Sequence, residues 1–450
     1  MSTVLKRLSI LVVAICLCSP GAVCAEGAYT LDDLFRIALE RAEKVKISEE
    51  NLFIAEREKD KTVSALLPRI SAFGDYRRYR EKKSFSSFAG SFGVQPESSA
   101  SWGLVIQQSV SLGGKEVIAL DIAQKGIESS RYNADAVREA YIFRIAEAYY
   151  DVLKAMSAVE IAHANVQRLR KYRDEAEIKL KVGEVSKTAL LRAEAELSGA
   201  QSGLVRAENI LLFAKAVLAR LSGIDEDFVL KEPVGREPGV TKDATATPVH
   251  DLQSLSSLKD EAMGERAEVK SLGLQKKIAG QQVRYAKGSY LPVLSFEGIY
   301  SRRDEDPQSS FLNDETVYGA LRLDFPLFEG GLRRAEVREA VAKQRQSEML
   351  YDDMKKTVGI EVENAFLDAR TQAGILKSLE DQARFARENY DAVSKQFEFG
   401  LATSIDVIDA NTLLVDSERE LTRAEYDYHL AILRLKRSTG TLLKSVIKDK

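Results

Sequence analysis

Few residues in this 450-residue chain could do chemistry. Asp406 and Asp409 lie three apart, which on a helix sets two carboxylates on one face. Such a pair attracts cations, or in the first turn of a helix simply answers the helix dipole. Glu160-Ile161-Ala162-His163 has the Glu-x-x-His spacing of helical di-iron sites, chemistry that requires a second such motif. The equivalent positions in the second half of the chain hold Lys377 and Glu380, so the second motif is missing. His163 falls instead on a heptad seam with Ile145, Tyr149, Val152, Met156, Val159 and Val166, where a packed or hydrogen-bonded histidine is expected. His250 sits beside Pro248, and His429 stands alone near the end. There is no HExxH, no phosphate loop and no GxSxG. The sequence therefore predicts neither catalytic residues nor a cofactor or metal site.

The elements that carry these residues are written twice. Leu67-Pro68-x-Ile70-Ser71-x-x-Gly74-x-Tyr76 returns as Leu291-Pro292-x-Leu294-Ser295-x-x-Gly298-x-Tyr300, at an offset of 224. Further on the offset is 217: Gly113-Gly114 returns as Gly330-Gly331, Ala148-Tyr149 as Ala365-Phe366, Val182-Gly183 as Phe399-Gly400, and Gly223 as Gly440. The difference between the two offsets sits in the loop between two strands of each copy. Repeats that absorb loop changes while keeping helix phase are paired structural units.

Lys6 and Arg7 precede an apolar run from Leu8 to Leu17, and Val23-Cys24-Ala25 supplies the small residues of a cleavage site. A signal peptide over 1–25 is expected, with Glu26 as the first mature residue. Lipidation of Cys24 is the competing reading, against which Gly21-Ala22-Val23 makes a poor lipobox. Cleavage removes Cys16, Cys18 and Cys24, all the cysteines there are, so packing alone must hold an exported chain together. It also removes two of the 65 Lys+Arg and none of the 68 Asp+Glu, leaving a net charge of −5 and no basic footprint for nucleic acid. No later apolar stretch reaches the ~20 residues of a membrane helix, so any span must be β.

No proline occurs between Pro96 and Pro233 or after Pro326, and both stretches are rich in good helix formers. The spacing predicts helices over 114–181 and 187–222 in the first copy and 331–398 and 404–438 in the second, the longest about 100 Å at ~1.5 Å per residue. Near the prolines the period becomes two, predicting strands over 69–80, 102–112, 293–303 and 316–328. Leu104, Ile106, Gln108 and Val110 alternate with Val105, Gln107, Ser109 and Ser111; Leu321, Leu323, Phe325 and Leu327 alternate with Arg322 and Asp324. Alternation fits a half-buried soluble sheet and a membrane barrel equally. The charged polar face (Arg69, Asp75, Glu297, Arg322, Asp324), the aromatics Tyr76, Trp102, Tyr300 and Tyr318 near strand ends, and export favour the barrel. Four strands cannot close one, and an open edge in lipid is costly, so several protomers must share it.

These residues resemble the TolC-like outer-membrane efflux family over essentially the whole mature chain. The resemblance is carried by the opening Tyr29-Thr30-Leu31-Asp32-Asp33-Leu34, both Leu-Pro pairs, Asp324-Phe325-Pro326-Leu327-Phe328-Glu329-Gly330-Gly331, and Phe397-x-Phe399-Gly400-x-x-x-x-x-Asp406-Val407-x-Asp409-Ala410. It implies a mainly α fold with transmembrane β: a homotrimer whose twelve strands form one barrel in the outer membrane of a Gram-negative bacterium. Twelve helices then continue as a periplasmic α-helical tunnel. The first structural repeat is placed at 26–223, an equatorial belt at the linker 224–262 and the tail 441–450, and the second repeat at 263–440.

Function and sites follow from the same resemblance. The chain would be the passive exit duct of a tripartite efflux or type I secretion system, fed by an inner-membrane transporter of the RND, ABC or MFS type. Asp406 and Asp409 would be the selectivity aspartates, six in a trimer, at the periplasmic entrance. The turns Val182-Gly183-Glu184-Val185-Ser186 and Phe399-Gly400-Leu401-Ala402-Thr403 would dock a periplasmic adaptor, although a left-handed Gly ending one helix and Ser186 or Thr403 capping the next explain these turns as well. Where the family's best-known member bridges its entrance with Arg, Tyr and Asp, this sequence has Ala402, Phe397 and Ala189, so that lock is missing. The rival from another class is a periplasmic coiled-coil adaptor or scaffold, in which four amphipathic strands would have no place.

Overall fold

The computed structural model describes residues 28–81, 83–88, 90–231, 254–306 and 313–448. The expected signal peptide 1–25 with its cysteines, and residues 232–253 of the linker, lie outside them. The first copy runs α1 (Leu31–Arg41), α2 (Glu43–Ser64), β1 (Arg69–Arg78), a small hairpin of β2 (Lys83–Ser87) and β3 (Gly90–Gln95), β4 (Ser98–Ser111), α3 (Lys115–Lys181) and α4 (Lys187–Ser222). The second runs α5 (Leu255–Glu265), α6 (Ala267–Gly288), β5 (Val293–Asp306), β6 (Glu315–Asp324), α7 (Leu332–Glu398) and α8 (Ser404–Thr439), and α9 (Leu442–Lys448) closes the chain.

Several expected boundaries move. The linker does not extend to 262: α5 begins at Leu255, which matches Leu31 of α1 under the larger of the two repeat offsets, so the second repeat starts there rather than at 263. Its N-cap Ser254 accepts the Ser257 amide at 3.3 Å. The tail after 440 is not featureless but carries α9. The first strand stops at Arg78 rather than 80, the second starts at Ser98 rather than 102, and the third reaches Asp306. The hairpin β2–β3 lies in the loop that is seven residues longer in the first copy than in the second, and among the described residues it has no counterpart. The fourth strand, expected to reach 328, ends at Asp324. Past that point Pro326 has no amide hydrogen to give, and β6 has no neighbour on its outer side.

The sheet order is β1-β4-β5-β6, antiparallel throughout, with β1 and β6 as edges. The repeat holds to the individual residue pair: Arg69↔Gln107 and Arg78↔Ser98 return as Val293↔Asp324 and Arg302↔Glu315. Cross-strand rows sort the faces. Ile70, Leu104, Ile106, Val110, Leu294, Phe296, Tyr300, Leu321 and Leu323 share one face, and nearly all of them are exposed. Trp102 meets Tyr300 edge to face at 6.0 Å on that side. The other face is polar: Gln107 donates to Glu297 at 3.0 Å, and the Ser109 and Ser295 hydroxyls are 2.9 Å apart. Tyr318, expected among the outward aromatics, lies on this polar face, where it pairs with Ile299 and donates to Glu297 at 3.3 Å. Among the described residues no helix is long and apolar enough to cross a membrane.

Away from the sheet, α3 and α4 pack as one antiparallel pair and α7 and α8 as another, with α2 lying along α3 and α6 along both α3 and α7. Buried alanines recur along their seams, Ala155, Ala162, Ala176 and Ala193 on one side and Ala365, Ala369, Ala383 and Ala386 on the other, between larger buried residues such as Leu153, Val166, Val358 and Val362. The widest core lies partway along, where α1, α3, α4, α8 and α9 bury Leu34, Phe35, Ile142, Tyr149, Leu218 and Leu442 together. There the chain flanking α1 is tied to the stretch after α4: the Tyr29 amide donates to Val229 and the Lys231 amide to Tyr29. Thr30 and Asp33 close a capping box on α1, which accounts for the Tyr29-to-Leu34 opening and holds the Asp33 carboxyl below its ordinary range. Glu139 is buried in the same region and accepts the Leu442 amide at 3.1 Å; burial pushes its carboxyl up to about 7.

Candidate functional site

The ends of the long helices farthest from the sheet carry the residues singled out by sequence. Both tips close by the same local chemistry. Gly183 stands at φ 81° and Gly400 at φ 72°, conformations that a β-carbon strains. Behind them the Glu184 amide bonds Lys179 O at 2.9 Å and the Leu401 amide bonds Gln396 O at 2.8 Å, each completing a Schellman motif that satisfies carbonyls the helix would otherwise leave open. Val182, Phe399 and Leu401 are left exposed, the last two by 79% and 80%. Lys179 joins the two turns: its Nζ donates to Glu184 at 3.0 Å and to the Glu398 carbonyl at 3.2 Å. Ser186 does not cap α4 with its side chain, because its hydroxyl is engaged by Thr188 at 2.6 Å. Thr403 does cap α8, in a reciprocal box with Asp406.

That box separates the two aspartates. Asp406 Oδ2 accepts the Thr403 amide at 2.8 Å and hydroxyl at 2.7 Å, and these bonds hold its carboxyl below the ordinary range. Asp409, one turn on and exposed, makes no hydrogen bond or ion pair among the described residues. Its whole charge is presented to the surroundings.

Phe397 and Ala402, at two of the positions where a bridging lock was missing, belong to an apolar cluster instead. Phe397 is 2% exposed and packs on Tyr172 with ring centroids 5.2 Å apart, under the Lys179 ammonium at 5.4 Å. Val166, Leu169, Ala176, Ala193, Leu197, Val407 and Ile408 complete the cluster, with Ala402 at its margin. Around it runs a polar network that sequence reasoning missed. Tyr172 donates to Ser404 O at 3.2 Å, and Arg168 donates to Asn411 Oδ1 at 3.1 Å, whose amide in turn donates to Asn165 at 2.8 Å. Glu418 sits between Arg168 at 3.5 Å and Arg387 at 2.6 Å. Most of these contacts tie the α3/α4 pair to the α7/α8 pair. The signal was present as polar residues on helix seams, but only the fold says which of them meet.

The described histidines, His163 and His429, lie apart and do not form a site. His163 is exposed, not packed on the seam as expected. His429, which looked isolated, stacks on Tyr150 at 5.9 Å and 3°, and burial lowers its pKa. Among the described residues no group of His, Cys, Asp and Glu could hold a metal ion.

Comparison with known proteins gives a consistent result. The chain matches the outer membrane efflux protein family over residues 34–224 and 258–441, two blocks whose starts are displaced as α5 is from α1. It is 24% identical over 345 residues to the outer membrane protein TolC of Vibrio cholerae, covering 74% of this chain and 75% of that one. With the alkaline protease secretion protein AprF of Pseudomonas aeruginosa it shares 24% over 325 residues, 71% of this chain and 65% of the relative. The crystal structure of the outer membrane protein VceC of Vibrio cholerae superposes with a TM-score of 0.77 over 91% of this chain and 96% of that one, at 18% identity.

Proposed function

The chain belongs to the outer membrane efflux protein family and is an outer-membrane export channel, and we propose that it works as a homotrimeric exit duct that an adaptor engages at the helix tips. One observation carries this reading. An amphipathic four-stranded sheet, apolar and exposed on one side, leads through short turns into 67-residue helices whose far ends present exposed apolar turns. Membrane lipid would cover the first surface and a periplasmic adaptor the second, with an inner-membrane transporter supplying the driving force. At the tips Val182, Phe399 and Leu401 offer the apolar contact, and Gly183 and Gly400 set the turn that aims it, with Glu184, Val185, Ser186, Ala402 and Thr403 as the surrounding rim.

The entrance would be ringed by Asp406 and Asp409 from three copies, with Asp409 supplying the freer charge. In place of an ion-pair lock, closure would depend on the packing of Phe397 with Tyr172 and on the Arg168, Asn411 and Glu418 network beside it. Opening then requires the helix pairs to part. Purification of the full chain from outer membranes, with identification of the adaptor and transporter that accompany it, tests the reading. A heat-resistant trimer that brings down both supports it, whereas a monomer recovered from the soluble periplasm would sink it.

A further inference from the structure

Strand β4 pairs with β5 across the boundary between the repeats, so each chain contains one complete seam between repeat units. A closed barrel built from copies of this sheet needs a second seam, β6 of one protomer against β1 of the next. We propose that the second seam copies the register of the first, placing Arg322 opposite Asp75 of the partner subunit. The proposal rests on the trimeric reading and adds to it the residues that join the copies.

The registers within each repeat already coincide to the residue under the 224 and 217 offsets. Applying those offsets to the β4–β5 pairs Gln108↔Phe296, Ile106↔Gly298, Val105↔Ile299 and Leu104↔Tyr300 gives Phe325↔Ala72, Leu323↔Gly74, Arg322↔Asp75 and Leu321↔Tyr76. The chemistry agrees at the last three. Leu321, 74% exposed in the isolated protomer, meets the exposed Tyr76 on the apolar face. Leu323 overlies Gly74, where an added β-carbon would come no closer than 3.9 Å to any other atom, leaving room for the leucine. Arg322 has no partner among the described residues and stands on the polar face, as does Asp75, which accepts from Ser101 and pairs with Arg77 at 2.8 Å but keeps acceptor capacity. A slip of one residue would turn every side chain to the wrong face. A slip of two would set Arg322 against Phe73 or against Arg77, a like charge. The same pairing supplies residues 325–328 with the neighbour they lack, which reconciles the short β6 with the longer strand that the sequence pattern indicates.

The helices repeat the correspondence. Ser271 on α6 bonds Ser129 at 2.9 Å and Asn133 at 2.7 Å on α3. The same displacement brings Ile47 of the partner subunit, on α2, against Gln346 and Leu350 of α7. Ile47 and Leu350 are 60% and 52% exposed, and this contact covers both. A polar contact inside the protomer becomes an apolar one between protomers.

No cysteine lies beyond Cys24, so introduced pairs can be read without background. In outer membranes bearing the full chain, Leu321→Cys with Tyr76→Cys, and separately Ile47→Cys with Leu350→Cys, should oxidise to covalent ladders ending at three protomers. The strand pair should link roughly tenfold faster than Leu321→Cys with Gly74→Cys or Arg78→Cys, since directly opposite residues approach within disulfide range and diagonal ones do not. Arg322→Asp should lower the heat resistance of the trimer, and adding Asp75→Arg should restore it. A displaced strand pair that links faster, or silence from both predicted pairs in particles with the mass of three protomers, overturns the register while leaving the trimer standing. Particles of any other mass overturn the trimer as well.

Discussion

A lysine at Ile106 should abolish stable insertion, whereas a lysine at its neighbour Val105 should not. On β4 the apolar face runs from Trp102 to Val110, about 26 Å of strand at ~3.3 Å per residue. At a tilt near 45° that is about 20 Å along the membrane normal, close to the ~25 Å apolar band of such barrels. Ile106 lies midway, in a row completed by Ile70, Gly298 and Gly319, and no polar side chain of that row can pair with an ammonium. A lysine at the midplane costs about 2–4 kcal/mol, so three copies cost about 6–12 kcal/mol, comparable with the whole stability of a typical fold. Val110→Lys, at the rim of the band, should cost at most about 1 kcal/mol per copy. Val105 points to the polar face and should accept the charge. Leu323→Asp, near the rim, and Phe325→Asp, past the end of β6, should be milder than Ile106→Lys. The readout is the amount of urea-resistant, heat-resistant protein in outer-membrane fractions. If Ile106→Lys and Val105→Lys insert equally well, the assignment of the lipid face is wrong.

Asp409→Asn should weaken cation selectivity and relieve block by multivalent cations in planar bilayers with no loss of stability. Asp406→Asn should do so less and in addition weaken the capping box on α8, visible as a lower unfolding midpoint; unchanged conductance in Asp409→Asn would remove this residue from the pore. Gly400→Val strains a left-handed turn and should reduce export and adaptor cross-linking while the trimer stays heat-resistant; full export would exclude the turn from docking. Glu139 binds its proton more tightly when folded, so its contribution is complete below its ordinary 4.5 and is lost as pH rises through about 7. Glu139→Gln should therefore stabilise the chain at pH 8 by up to about 3 kcal/mol and not at pH 4, and equal effects at both pH values would contradict burial as the cause.

The long helices were legible because their ends are written in residues with few conformational choices: Gly-Gly before them, Val-Gly or Phe-Gly after them, and no proline within. The capping box at Thr403 and Asp406 is also a local pattern, complete within one helical turn. The hairpin β2–β3 was not legible, since Ser and Gly dominate its stretch and no alternation marks a face. The start of α5 was hidden by its nearness to the proline-rich linker, although Ser254 carries the cap. At the entrance, sequence identified Phe397 as a departure from the family but could not show what replaces the lock. Tyr172 and Arg168 lie far along the chain from Ser404 and Asn411, and only helix packing brings them together.

The alanines that recur along the helix seams have a mechanical consequence. Large interlocking side chains make a stiff wall, because one helix can roll over another only after each knob leaves its hole. Alanine ridges are shallow, and where they stand between the larger buried residues of these seams they lower the resistance to one helix shifting on the next. Such a wall resists bending along its length yet offers less friction to sliding and rolling between its staves.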